Sequence, residues 1–274
     1  MAITIHILYV GRGDCVIIEF SDGQLVMVDT NFAAHTTDAL DYLKNNFPGR
    51  QLSLFVLTHP HPHRFTGLSR IRKQVGFESF WDASLYYQLE TWLPEWQQKS
   101  AVHRADWDDY LKIRDGGLLG IEVLGPQRGY KLIVSDGEEL EILAPSEELQ
   151  KQALQAGNDH IASYVLGVRC HQNQAILGGS ANAETWQDIH EQYGKVLKAG
   201  LLIASHHGHR DGFYKPAVKA ISPEFVVVSS EMESYADASG LYSRYCSGVI
   251  STAHLGNIVA RCYPSGGVEL QTQY

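Results

Sequence analysis

The chain has 274 residues, of which 44 % are hydrophobic and 10 % aromatic, as expected of a globular protein with a substantial core. Its formal net charge of −9 argues against a general affinity for nucleic acid, which needs clustered lysine and arginine. No apolar run reaches the roughly 18 to 20 residues of a membrane span. With no signal-peptide pattern and no CxxC pair among the four cysteines, we expect a cytoplasmic protein with free thiols.

The first half of the chain alternates strand-like and helix-like segments. Residues 3–30 hold three apolar runs separated by the turns GRGD and SDG, which predicts a three-strand antiparallel meander. Residues 36–47 have helical spacing, with Thr37 as the expected N-cap. The run LSLFVL at 52–57 predicts a buried strand, and residues 65–76 predict a second helix.

Residues 77–120 form a tryptophan-rich region for which we predict helices with long connections. It holds four of the five tryptophans, namely Trp81, Trp92, Trp96 and Trp107. Large aromatic residues in helices are usually core residues. The alternative is that the region is a partner-binding insert that uses Trp92 or Trp96.

The second half of the chain predicts several further strands and one long helix. The expected strands are LEILAP, SYVLGVRC, QAILGGS, LLIAS, FVVVSS, GVISTA, NIVARCYP and GVELQT, and the expected helix is ETWQDIHEQYGKVL. This order favours two mixed sheets with helices outside, in a single domain over residues 1–274.

One loop carries the strongest chemical signal. In THPHPHRFTGL, residues 58–68, His59, His61 and His63 alternate directly after a predicted strand. Histidines at such a position indicate a metal site. Arg64 then stands where a fourth ligand is expected, and a guanidinium cannot bind a cation.

Four segments together resemble the metallo-β-lactamase-fold hydrolases. They are HILYVGRGDCVIIEFSDGQLVMVDTNF, LFVLTHPHPHRFTGL, NDHIASYVLGVRCHQNQAILGGSA and LLIASHHG. The GxGD turn with Gly11, Gly13 and Asp14 resembles the soluble hydrolase domain of ComEC-type competence proteins. The resemblance implies a four-layer αββα sandwich with two zinc ions where the sheets meet, acting on esters, amides or phosphodiesters.

Several ligand positions of the family carry other residues in this chain. His59 and His61 match the first two ligands of the HxHxDH loop, but the Asp falls on His63 and the last His on Arg64. The bridging Asp falls on Ser180, while the late motif HHG is intact as His206 and His207.

A further ligand position precedes Ser163 by three residues and falls on His160, with Asn158 as the alternative if the alignment slips. His59, His61 and His160 could therefore hold one zinc ion. Arg64 and Ser180 exclude the second. We expect no metal or one zinc, and the histidines could also be relics of a lost site.

Two aspartates of the scaffold remain. Asp29, at the end of the third strand, is expected to accept hydrogen bonds from the histidine loop. Asp14 is expected to tie down backbone donors in the GRGD turn. No GxSxG motif, phosphate-binding loop or convincing Cys/His pair offers a competing catalytic site.

Three functional hypotheses remain open. The first is a non-catalytic binding or regulatory subunit with a protein partner, in a bacterial defence or DNA-handling assembly. The second is a mono-zinc hydrolase of phosphodiester or related bonds, and the third is a nucleic-acid-binding module that does not cleave. The oligomeric state is not indicated by the sequence.

Overall fold

The computed structural model describes residues 2–85, 101–229 and 237–274, and of residues 101–103 only the backbone. Trp92 and Trp96 lie outside the described residues, so the expectations for them are not addressed by the structure. No helix in the described part of the chain is long and apolar enough to cross a membrane.

The strands are numbered in chain order. They are β1 Ile3–Ile7, β2 Val16–Glu19, β3 Leu25–Val28, β4 Leu52–Leu57, β5 Phe77–Asp82, β6 Glu122–Leu124, β7 Lys131–Ser135, β8 Glu138–Ala144, β9 Val165–Cys170, β10 Asn173–Leu177, β11 Leu201–Ile203, β12 Phe225–Val228, β13 Gly248–Ser251, β14 Ile258–Cys262 and β15 Val268–Thr272.

The helices are numbered in the same way. They are α1 Ala39–Asn46, α2 Pro62–Phe65, α3 Leu68–Gln74, α4 Ala101–Arg114, α5 Glu147–Ala156, α6 Ala183–Tyr193, α7 Lys215–Ile221, α8 Ser239–Tyr242 and α9 Thr252–Leu255. Short 3₁₀ turns also occur, and those that matter for the site are Asp159–Ala162, Ser205–Gly208 and Arg210–Gly212.

Two mixed sheets form the centre of the molecule. The first has the order β15-β14-β1-β2-β3-β4-β5-β6, antiparallel as far as β3 and parallel from β3 to β6. The second has the order β13-β12-β11-β10-β9-β8-β7, parallel from β13 to β10 and antiparallel beyond. The three-strand meander predicted for residues 3–30 is confirmed as β1 to β3.

Three apolar clusters show that the molecule has four layers. One lies between the sheets and joins side chains such as Ile5 and Ile18 to Leu166 and Ile203. A second lies outside the first sheet, under α1, α3 and α4, and a third lies outside the second sheet, under α5, α6 and α7. Alternate strand residues face the two sides because the side-chain period of a strand is two. The predicted αββα sandwich is confirmed.

Some local predictions are wrong. The N-cap of α1 is Asp38, whose carboxylate accepts from the Leu40 amide, whereas the Thr37 hydroxyl donates to the Asn257 side chain at 2.8 Å. Residues 77–120 are not all helices and connections, because β5 pairs with β4 and extends the first sheet there. Trp81 lies on β5 and is buried in the core between the sheets.

Other elements were absent from the sequence prediction. α5 is a mostly polar helix that buries only Leu149 and Ala153, and its start is fixed by the Ser146 side chain, which accepts from the Leu149 amide. Two buried positions give little apolar periodicity to detect. Two other elements were also missed: α7, which has only seven residues, and the edge strand β7, which has no fully buried residue and contains a register shift.

Candidate metal centre

The candidate site lies at the edge of the sandwich where strands of both sheets end. His59 follows β4 of the first sheet, and His160 lies in the 3₁₀ turn that precedes β9 of the second. A backbone hydrogen bond of 3.0 Å from the Tyr164 amide to the Thr58 carbonyl joins the two sheets at this point. The fold therefore brings together loops that are about a hundred residues apart in sequence.

His59, His61 and His160 converge in this edge. Their ligand nitrogens all lie within 4.8 Å of one another. The ring centroids are 4.5 Å apart for His59 and His61, 5.1 Å for His59 and His160, and 4.9 Å for His61 and His160. Three nitrogens around one tetrahedral zinc lie roughly 3.4 Å apart, given bonds of about 2.1 Å.

The hydrogen bonds around His59 fix which of its nitrogens can bind a cation. The Thr58 hydroxyl donates to Asp29 Oδ2 at 2.7 Å, and its oxygen lies 3.3 Å from His59 Nδ1. Because the hydroxyl proton is used on Asp29, Nδ1 of His59 must be the donor in the second bond. Nε2 of His59 is then unprotonated, and it is buried with no hydrogen-bond partner among the described residues.

A carboxylate orients His61 in the corresponding way. Nε2 of His61 lies 2.8 Å from Asp159 Oδ2, so this nitrogen donates to the carboxylate and the ring is held in place. Carboxylates that hold metal-binding imidazoles in this manner are a common feature of zinc sites. Nδ1 of His160 is also buried without a hydrogen-bond partner in the described part of the chain. The set therefore fits a divalent metal ion such as zinc.

Burial favours the neutral form of the His59 and His160 imidazoles. Desolvation, followed by the neighbouring His61 and Arg64, holds the pKa of His59 well below its usual value. Desolvation also lowers the pKa of His160 to about 4. Neutral imidazoles are the form that binds a metal, so at neutral pH no proton has to leave these two rings before an ion enters.

Arg64 fills the adjoining space with its guanidinium. The side chain is fully buried, and its Nη1 contacts Asp14 and lies 3.0 Å from Asp29 Oδ2. Its Nη2 donates to Ser180 Oγ at 2.7 Å and lies 3.3 Å from His207 Nε2. The resemblance assigns the positions of Ser180 and the late histidine to the second metal ion. The guanidinium thus contacts residues at two positions of that subsite.

Both carboxylates beside Arg64 are buried ion-pair partners. Burial opposes ionisation of Asp14, but Arg64 and His207 outweigh it and hold the pKa of Asp14 well below its usual value. Burial raises the pKa of Asp29 to about 6 against the effect of Arg64. Asp29 accepts three bonds, from the Thr58 amide at 2.8 Å, the Thr58 hydroxyl and Arg64, which joins it to both the histidine loop and the guanidinium.

Asp14 differs from its sequence-based expectation. We expected its carboxylate to accept from backbone donors in the GRGD turn, but its hydrogen-bond partners in the described structure are the side chains of Arg64 and His207. Gly13 in the same turn permits a close approach to the histidine loop, because a Cβ at this position would lie 2.7 Å from the His63 carbonyl oxygen. This turn therefore packs directly on the histidine loop.

The remaining predicted residues separate into two groups. The His207 ring is used twice in the Arg64 network, because its Nδ1 lies 3.3 Å from Asp14 and its Nε2 faces the guanidinium. The rings of His63 and His206 border the site instead, 5.5 Å from His61 and 4.8 Å from His160 respectively. 

Asn158, the alternative ligand, caps the 3₁₀ turn by accepting from the His160 amide at 3.2 Å. That bond gives its side chain a structural role at the start of the turn.

Sequence reasoning missed two residues of the site. Thr58 and Asp159 set the protonation of His59 and His61, yet neither was singled out as a functional residue. Both signals were present, since each of these residues immediately precedes a candidate histidine in the sequence. The partner of Asp159 is His61, which lies on a different loop, and spacing along the chain does not show that contact.

Comparisons with known proteins agree with this architecture. Residues 8–131 match the family model described as the Metallo-beta-lactamase superfamily. The match includes the histidine loop and covers less than half of the chain, and the αββα sandwich is consistent with the metallo-β-lactamase fold. A comparison with curated proteins finds no match.

Two solved structures illustrate the similarity of fold. Igni18, a metallo hydrolase from the hyperthermophilic archaeon Ignicoccus hospitalis, is 14% identical, with a TM-score of 0.56 over 98% of this chain and 98% of that chain. The isothiocyanate hydrolase from Delia radicum gut bacteria is 10% identical, with a TM-score of 0.51 over 97% of this chain and 99% of that chain.

Proposed function

We propose that this chain is a single-metal hydrolase of the metallo-β-lactamase fold that holds one zinc ion on His59, His61 and His160. The observation that supports it is the convergence of three imidazoles whose ligand nitrogens lie within 4.8 Å of one another. Among the described residues no fourth His, Cys, Asp or Glu joins that group. Three histidines with an open fourth position are typical of catalytic zinc sites, whereas structural sites have four protein ligands.

His59, His61 and His160 would hold the zinc ion, which would supply the acidity needed to make water a nucleophile near neutral pH. The contribution of the chain is orientation. Asp29 and Thr58 hold the His59 ring, and Asp159 holds the His61 ring. As substrates we propose phosphodiesters or related esters, which the family resemblance implies.

Arg64 makes the proposed reaction a one-metal reaction. Its fixed positive charge occupies the region of the second ion, and its exposed fraction of 0% keeps it out of contact with a substrate. We therefore assign it an electrostatic and structural role: it neutralises Asp14 and Asp29 where a second cation would otherwise do so.

The test is metal content and turnover of the full chain, purified without chelator or histidine tag. We expect a bound zinc ion that is lost in His59→Ala and retained in His254→Ala, a matched control in the exposed part of α9. Hydrolysis of bis(p-nitrophenyl) phosphate should be lost in the same variant. A wild-type chain with no ion that depends on His59 would refute the proposal.

A second candidate function is a non-catalytic binding or regulatory subunit with a protein partner, in a bacterial defence or DNA-handling assembly. The observation that favours it is that Asp14, Asp29 and Asp159 are each bonded to another side chain, so none of them is placed as a base for an attacking water. A zinc ion that depends on His59 without any turnover would favour this candidate.

Restoration of the family residues gives a decisive comparison. The variant His63→Asp/Arg64→His/Ser180→Asp should gain a further metal ion and phosphodiesterase activity if these changes alone silenced two-metal chemistry. A folded triple variant that gains the ion but no activity would mean that other parts of the pocket have also changed.

A further inference from the structure

A second cluster of metal-binding side chains lies beside the first. His206, His209 and Asp211 have their ligand atoms within 4.8 Å of one another. They lie on the loop between β11 and α7, in the consecutive 3₁₀ turns Ser205–Gly208 and Arg210–Gly212. None of the three contributes to the His59 group or to the ion pairs of Arg64.

The backbone of this loop directs two neighbouring histidines to different partners. His206 and His207 both adopt the left-handed conformation, with φ of 51° and 56°. The His207 ring is bonded to Asp14 and faces Arg64, whereas the His206 ring lies 5.1 Å from the His209 ring. His207 is thereby committed to the ion-pair network, and His206 is available to a different site.

Several hydrogen bonds hold the loop in this shape. The His206 amide donates to the Gly179 carbonyl at 2.8 Å, and the His209 amide donates to the His206 carbonyl at 2.9 Å. The Ser205 hydroxyl donates to the Gly212 carbonyl at 3.0 Å and accepts from the Trp186 indole at 2.8 Å. The ends of the loop are therefore fixed to each other and to α6 before any ligand binds.

The donor set suits a divalent transition metal. His209 Nδ1 accepts from the Asp211 amide at 3.3 Å and lies 3.2 Å from Asp211 Oδ2, so the imidazole and the carboxylate are held side by side. Two imidazoles and a carboxylate are common ligands of zinc, with open positions left for water. The exposed fractions of 36% for the His209 side chain and 68% for Asp211 leave an ion here accessible from solvent.

We propose that His206, His209 and Asp211 form a second metal site for a zinc-like divalent ion, displaced outward from the subsite that Arg64 fills. The His160 and His206 rings are stacked at 4.8 Å and form the boundary between the two sites. The two cation sites are adjacent but share no bridging carboxylate, unlike the two-zinc site that the family resemblance implies. This inference does not depend on the proposed hydrolysis.

The test is equilibrium dialysis of the metal-stripped full chain against Zn²⁺ and, separately, Co²⁺, with the visible absorption of bound Co²⁺ as a second readout. We expect two ions per wild-type chain and one in His209→Ala and in Asp211→Asn. His59→Ala should also retain one ion, with a cobalt spectrum different from that of the other two variants. His254→Ala should bind two ions, and circular dichroism should show each variant folded.

The outcomes separate the two proposals. If His209→Ala and Asp211→Asn both bind as many ions as the wild type, the second site is refuted. It is also refuted if the wild type binds a single ion that His59→Ala removes, or if the additional ion is lost on dialysis against zinc-free buffer. A single ion that is lost in His209→Ala and kept in His59→Ala would support the second site and refute the proposed function.

Discussion

Replacement of Arg64 by Met removes the guanidinium that pairs with two buried carboxylates, Asp14 and Asp29. Met preserves much of the volume but leaves Asp14 and Asp29, with exposed fractions of 5% and 0%, without their cationic partner. Breaking a buried ion pair by removal of one partner costs about 3–5 kcal/mol. The bond to Ser180 is lost as well, which places the expected loss of stability at the upper part of that range.

The matched control is Arg50→Met. Arg50 pairs with Glu19 at 2.7 Å, but the side chains are 35% and 32% exposed, so the pair is worth roughly 0–1 kcal/mol. Two arginines thus undergo the same change at sites that differ in burial. A difference of about 4 kcal/mol between them corresponds to roughly a thousandfold change in the folding equilibrium.

The assay is urea unfolding of both variants in the presence of chelator, followed by circular dichroism. Chelator is needed because a metal ion entering the space left by the guanidinium would itself stabilise the Arg64→Met variant. An Arg64→Met variant that loses less than about 1 kcal/mol, like the surface control, would refute the conclusion that this guanidinium neutralises the site.

Three further predictions concern the scaffold and the ion. Gly179→Ala should lower the free energy of unfolding in urea by about 2 kcal/mol or more, because the new Cβ would lie 2.2 Å from the Tyr164 carbonyl oxygen. The control is Gly157→Ala, which has a similar positive φ and no described atom within 4 Å of its Cβ. It should lower the free energy of unfolding by about 1 kcal/mol. Burial lowers the pKa of His6 to about 4, so between pH 6.5 and 4 only the unfolded state takes up this proton. Stability should fall over that window as pH falls, by up to about 3 kcal/mol from this group, and a His6→Phe variant with an unchanged slope would contradict this. Zinc added to metal-free chain should raise the melting temperature, by the equivalent of about 2.7 kcal/mol at a hundred times the Kd, and the same addition should leave His59→Ala with a smaller shift.

The sequence predicted the architecture better than the contacts of the site. The alternating apolar residues of β1 and the continuous apolar runs of β2 and β4 identify strands, because such segments bury one or both faces of a sheet. α5 was missed since only two of its residues are buried. β5 was obscured by the tryptophan-rich composition that surrounds it.

The site was predictable by residue type but not by partner. The positions of His59, His61 and His160 in the sequence indicated candidate metal ligands, and the structure brings these three together. The partner of Asp14 was not predictable, because its ion pair with Arg64 joins residues fifty positions apart. Such a pairing follows from the way the loops cross at the edge of the sandwich.

The network of Arg64 has a consequence for how the protein is made. The guanidinium joins Asp14 and Asp29 of the first sheet's loops to Ser180 after β10 of the second, and it is part of the chain from synthesis onward. A site whose carboxylates depend on bound ions for neutrality can assemble fully only where those ions are supplied. In this chain the Arg64 guanidinium neutralises the carboxylates, so the two sheets can pack at that edge without a metal ion. We therefore expect the amount of folded protein in a cell to be insensitive to zinc supply, even if its activity is sensitive.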